Sequence, residues 1–95
     1  PMPADFTSIR NYYERQVFET VLDIAPKYPA VKEDQLPDVA CVALNKLPAR
    51  YIRHEVDLAF YQTEKERADN EVTLKEVVTY AFEFVQARAA MRARR

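Results

Sequence analysis

Residues 37–61 read PDVACVALNKLPARYIRHEVDLAFY, and the way this stretch divides decides the fold class. Pro37 suits the first turn of a helix, where a missing N–H costs nothing, and Asp38 favours the positive end of the helix dipole. Val39, Val42 and Ala43 then give a short apolar face that reaches Leu47, and Pro48 stops the helix. Beyond Pro48 the period changes. Ile52, His54, Val56, Leu58 and Phe60 alternate with Arg53, Glu55, Asp57, Ala59 and Tyr61, which is the period of an extended strand. A lone strand needs a partner, and the chain offers no obvious second one. Residues 52–60 are therefore expected either to pair with another copy or to be helical.

Outward from this stretch the chain reads as helix. Toward the N-terminus, Ile9, Tyr13, Val17, Val21 and Ile24 recur at three- and four-residue steps, predicting a helix from about Ser8 to Ile24. Thr7 or Ser8 is its expected N-cap, and Pro26 ends it. The segment from Pro26 to Pro37, with three prolines, reads as a surface loop. Toward the C-terminus, Thr63 followed by Glu66 reads as a capping box opening a short helix, and Thr73 followed by Glu76 as a second one opening a helix that runs to about Arg92. In that last helix Leu74, Val78, Ala81 and Val85 form one apolar stripe, and Val77, Phe84 and Met91 a second beside it. So wide a face suits either a core that wraps the helix or a second subunit. The expected architecture is mainly α: a single domain over residues 1–95, a compact bundle of about four helices, with one short strand around residues 52–60 as its open element.

Composition narrows the function. Ninety-five residues, 48% hydrophobic and 31% charged with a net charge of -1, fit one ordinary folded domain with no room for separate catalytic and substrate domains. A domain this small buries a modest share of its surface, so association is a natural source of further stability. The chain has no glycine, which excludes phosphate-cradling loops of the P-loop or dinucleotide-fold type. Its one cysteine, Cys41, forms no internal disulfide and no cysteine cage for zinc, and its apolar neighbours mark it as a core residue. No apolar run approaches the ~18 residues of a membrane span, and no basic-then-apolar leader opens the chain, so a cytoplasmic location is expected. Arg88, Arg92, Arg94 and Arg95 gather at the end without an acid among them. They read either as a solvated helix end on the negative pole of the dipole or as a contact for nucleic acid or acidic lipid. A net charge of -1 makes nucleic-acid binding the weaker use.

The densest polar and aromatic cluster is Asn45, Lys46, Arg50, Tyr51, Arg53 and His54, with Asp57 close behind, at the junction where the central helix stops. Arginine's planar fork grips phosphate or the Hoogsteen edge of guanine at two points, a neighbouring tyrosine stacks on a purine, and a carboxylate accepts from the guanine Watson-Crick edge. The competing structural reading is a helix end with its cations on the dipole and Tyr51 in the core. Histidine is the residue type best suited to general-base work near neutral pH, which makes His54 a candidate, yet no serine or cysteine nucleophile accompanies it in a known motif. The acids Glu64, Glu66, Asp69 and Glu71 are interleaved with Lys65 and Arg67, as on a solvated helix face. Asn11 and Arg15 on the first helix are expected to supply a second wall of a ligand site. No enzyme activity, metal or cofactor is expected.

The run from Asp38 to Ile52, an acidic-apolar helix leading into Asn45, Leu47-Pro48 and Tyr51, resembles the central motif of the ComFB family of late competence development proteins. The block Asn11-Tyr12-Tyr13-Glu14 followed by Val17 is similar to that family's other recurrent block. The resemblance implies a compact helical homodimer found in bacterial regulators, in some branches a receptor for cyclic di-GMP. Relatives with a paired-cysteine zinc motif before the central helix differ from this chain, which has Cys41 alone. The implied function is a cytoplasmic second-messenger receptor that reports cyclic di-GMP to an unidentified protein partner controlling competence, motility or biofilm formation. The alternative is a dimeric interaction module without a nucleotide ligand.

Overall fold

A computed structural model describes residues 4–54, 56 and 62–93. The elements run β1 (Arg10–Asn11), α1 (Tyr13–Ile24), α2 (Leu36–Lys46), β2 (Tyr51–Ile52) and α3 (Glu64–Ala93), with short 3-10 turns at Ala25–Lys27 and Glu33–Gln35. Each boundary has a local cause. Thr7 does not cap α1 as expected; its N–H and hydroxyl both donate to the Asp5 carboxylate, at 2.9 and 2.7 Å. The first turn instead depends on Asn11, whose Oδ1 accepts from the Tyr13 N–H at 3.3 Å. Pro26 sits in the turn that follows α1, and Pro37 lies in the first turn of α2, where its lack of an N–H leaves no bond unmade. Leu47 leaves α2 in an extended conformation and remains buried.

The core is where the three helices meet, α3 packing against both α1 and α2. Tyr13, Val17 and Val21 of α1, Val39, Ala40 and Ala43 of α2, and Leu74, Val78, Ala81, Phe82 and Val85 of α3 form one buried cluster. Phe82 is wholly enclosed, and the Tyr28 ring stacks on it at 4.8 Å with the planes 8° apart. The segment between α1 and α2, expected as plain loop, holds the two 3-10 turns and buries Val31. Gln35 secures the second turn by accepting from the Lys32 N–H at 2.9 Å.

Four expectations change. The described elements include three helices, and the fourth of the expected bundle is not confirmed: the chain runs as one helix through both predicted capping boxes. Thr63 caps α3, accepting from the Glu66 N–H at 3.1 Å. Thr73 lies inside it, since no proline or glycine between the two threonines provides a stop. Of the strand expected around residues 52–60, the described residues show Tyr51–Ile52, whose partner is in the same chain: Arg10 pairs with Ile52 and Asn11 with Tyr51, antiparallel. Val56 is helical and exposed; residues 55 and 57–61 lie outside the described residues. Cys41, expected in the core, is exposed, because an unbroken apolar run hides which side of the helix faces in. Ile9, expected on the buried face of the first helix, precedes α1 and is exposed. Among the described residues no helix is long and apolar enough to cross a membrane.

Candidate functional site

The small sheet joins two arginine-bearing segments, the one with Arg10 and Arg15 and the one with Arg50 and Arg53. Its geometry is set by Asn11, which accepts from the Arg50 N–H at 3.1 Å as well as from Tyr13. The Tyr12 N–H donates to the Arg50 carbonyl at 2.6 Å. Asn11 thereby ties the start of α1 to the residue that enters β2. It is a structural clamp, with its carboxamide oxygen already engaged twice.

Around this clamp the predicted site residues separate into two groups. Arg50, Tyr51, Arg53 and His54 are all exposed. Tyr51 is 69% accessible, which removes the reading that places it in the core. Arg15 lies on the adjacent first turn of α1, its Nε 3.6 Å from Glu19 with both side chains well in solvent. A screened pair of that kind contributes little to stability. Asn45 and Lys46 have other partners. The Asn45 amide donates to the Cys41 carbonyl at 3.0 Å and borders the groove between α1 and α2. The Lys46 Nζ lies 4.1 Å from the centre of the Tyr80 ring on α3. Asp57, expected as the guanine acceptor, lies outside the described residues.

Two cavities bear on function. One, of about 190 Å³, is bordered by Arg10, Tyr12, Arg15, Gln16 and Ile52. Nothing in the sequence marks Arg10, Tyr12 and Gln16 as site residues, because a two-residue strand leaves no periodic pattern and its partner lies some forty residues away. The other is an open groove of about 670 Å³ between α1 and α2, with Phe18, Leu22, Leu36, Cys41 and Leu44 on its walls. Phe18 and Leu22 stand 49% and 65% exposed on its lip. Among the described residues no three His, Cys, Asp or Glu side chains come together as a metal's ligands do.

The family model described as late competence development protein ComFB matches residues 10–89. That span begins at β1 and ends within the last turns of α3, taking in the clamp and both cavities. No curated protein matches the chain.

Proposed function

Since the chain belongs to the ComFB family, we propose that it is a cytoplasmic bacterial regulator that binds cyclic di-GMP and signals as a homodimer, without catalysing a reaction. The observation that carries the reading is the exposed Tyr51, set on a two-residue strand between Arg50 and Arg53, both also exposed. A solvent-facing ring on a pinned backbone is a stacking platform for a purine. Flanking guanidiniums supply the paired donors that phosphate and the guanine Hoogsteen edge accept. The single histidine is exposed beside this surface. Cys41 lies in the groove on a different element, so the family's expected role as a binding module is also the simpler chemistry.

Support for the homodimer comes from the α1–α2 groove. It offers a hollow and, on its own lip, the raised apolar side chains Phe18 and Leu22 that would fill a hollow of the same shape. A surface that is both knob and hole suits a twofold contact with a second copy. The same groove favours the second reading, in which a protein partner's apolar helix occupies it and no nucleotide is involved.

Titration calorimetry with cyclic di-GMP on the unmodified protein and on Arg50→Ala, Arg53→Ala and Tyr51→Ala separates the two. Loss of about 1–3 kcal/mol per arginine is expected for charge-assisted contacts, with the fold intact because these side chains are in solvent. An unmodified protein that takes up no cyclic di-GMP leaves the interaction module as the function.

A further inference from the structure

The groove between α1 and α2 is apolar along its length and acidic at its margins. Asn11 ties the start of α1 to Arg50, just beyond the end of α2, at 3.1 Å, so the two packed helices run in opposite directions. Glu14, Phe18 and Leu22 recur at four-residue steps and stand along one face of α1. Phe18 and Leu22 line the groove, and Glu14 precedes them by one turn. Glu33 lines it from the turn that leads into α2. With the helices antiparallel, these two carboxylates mark opposite ends of the groove, separated by roughly two turns of α1, about 12 Å at 1.5 Å per residue.

The walls carry more negative charge than they neutralise. Residues 13–24 and 32–46 hold six acids against three bases. Two of the bases are engaged: Arg15 lies 3.6 Å from Glu19, and Lys46 sits over the Tyr80 ring on α3. Asp38 is turned to Arg88 of α3. Glu14, Asp23, Glu33 and Asp34 pair with no cation among the described residues. The electrostatic complement of an apolar hollow with unpaired carboxylates at both ends is an apolar stripe with a cation beyond each end. A second copy supplies the stripe through its own Phe18 and Leu22 and not the cations, since a twofold contact sets acidic margins against acidic ones.

We propose that the groove docks an amphipathic helix of a partner protein, basic at both ends of its apolar stripe, and that this helix displaces a second copy. Docking of this kind rests on the interaction-module reading above and is independent of cyclic di-GMP. The apolar residues of the helix pack between Phe18 and Leu22 on one wall and Leu36 and Leu44 on the other, as a third helix does in the furrow between two. Its cations meet Glu14 and Glu33.

Cys41, the chain's one thiol, is exposed on the wall of the groove and reports on its occupation. The probes are a synthetic helix of about three turns with leucines on one face and arginines at both ends, and the same peptide with glutamates for the arginines. The arginine peptide is expected to slow alkylation of Cys41 by iodoacetamide at least tenfold at saturation, and to bind at least tenfold more tightly than the glutamate peptide in calorimetry. Glu14→Gln together with Glu33→Gln should remove most of that preference, and raised salt should shrink it. Leu22→Glu should abolish protection, while Phe84→Ala on α3 should leave it unchanged; both side chains are exposed, so the fold survives either change. In sedimentation the arginine peptide should convert any dimer to single chains. Equal protection of Cys41 by both peptides, or by neither, would overturn the docking helix. A dimer that shields Cys41 as protein concentration rises and yields to neither peptide would overturn it and leave the homodimer standing. A monomer whose Cys41 is shielded by the arginine peptide alone would sustain it and remove the homodimer from this groove.

Discussion

The outer face of α3 and the groove between α1 and α2 both present large apolar side chains to solvent, yet they are finished differently. On α3, the Lys46 Nζ lies 4.1 Å from the Tyr80 ring centre and the Arg88 guanidinium 5.7 Å from that of Phe84. Arg88 also reaches Asp38 of α2 at 3.9 Å, so the cations that cover these rings tie α3 to the neighbouring helix. The groove is walled almost wholly by aliphatic and aromatic groups, Glu33 and Asn45 being its polar members. Exposed ring area is therefore a poor guide to where a partner docks. A ring with a cation over its face already has an electrostatic partner, whereas a hollow between two helices still has water to lose. The second stripe of α3, Val77, Phe84 and Met91, invites a subunit when read from spacing alone; the homodimer proposed above would use Phe18 and Leu22 instead.

The strongest way to break this contrast is to compare the two rows of α3 itself. Phe82→Ala, on the enclosed row, is expected to cost about 3–5 kcal/mol in urea unfolding through lost contacts and a residual cavity. Phe84→Ala, 43% exposed, should cost well under half of that, and equal losses would mean that the rows are packed alike. Next in size is assembly. Sedimentation at micromolar concentration should return twice the 11.1 kDa monomer mass. Leu22→Glu should raise the dissociation constant by at least tenfold, about 1.4 kcal/mol, by burying a carboxylate among apolar groups. Phe84→Glu should leave the mass unchanged. The opposite pattern would return the interface to α3, and a monomer throughout would remove it from both faces.

Smaller still is the covering of the rings. A double-mutant cycle on Lys46→Ala and Tyr80→Ala should show a coupling of about 0.5–1 kcal/mol, the range for an exposed cation over an aromatic face. Zero coupling would leave the outer face of α3 as open as the groove. The smallest effect lies at the edge of the inner row, where Tyr28 stacks on Phe82 and its hydroxyl donates to Glu83 at 3.3 Å. Burial, and then the charge and hydrogen bond of Glu83, hold the Tyr28 phenol above its usual 10.0. The folded state thus keeps a proton that the unfolded chain releases. This contribution is complete below the unfolded value and is lost as pH rises through the folded one. Thermal melts on either side of pH 10.0 should show Tyr28→Phe with a shallower alkaline decline; an identical decline would mean that the phenol does not report on folding.

Helical spacing alone identifies most of the core: Tyr13, Val17, Val21, Val39, Ala43, Leu74, Val78, Ala81 and Val85 are all buried as expected. Phe82, wholly buried, is missing from both expected stripes although it lies four residues after Val78 and eight after Leu74. Phe84 competes for the same role at seven-residue steps from Val77 to Met91, and spacing cannot say which of two parallel stripes faces in. Cys41 misleads for a related reason, being one member of a run with no polar residue to mark the outer side. The candidate site is harder to read. That Arg50, Tyr51 and Arg53 lie at a change of backbone direction follows from Pro48 and the altered period, but Arg10 enters through a pairing of two residues with two others far along the chain. No local pattern announces such a pairing, and it requires Asn11 to serve as a clamp where a ligand contact was expected.

One helix here spans two regimes of exchange with solvent. From Glu64 to Thr73 the side chains of α3 are exposed apart from a half-buried Asn70, while Leu74 to Val85 carries the buried row. A stretch as short as the first has little helical stability of its own in water and holds its shape because the packed turns continue it and Thr63 caps it. In deuterated solvent its amides should therefore exchange by fraying from the capped end, progressively more slowly toward Leu74. Those of the buried row should wait for opening of the whole domain. A nucleotide bound at the two-stranded sheet would slow the second group through global stabilisation and leave the first nearly untouched, so one peptide map of α3 would hold both the reading and its internal reference.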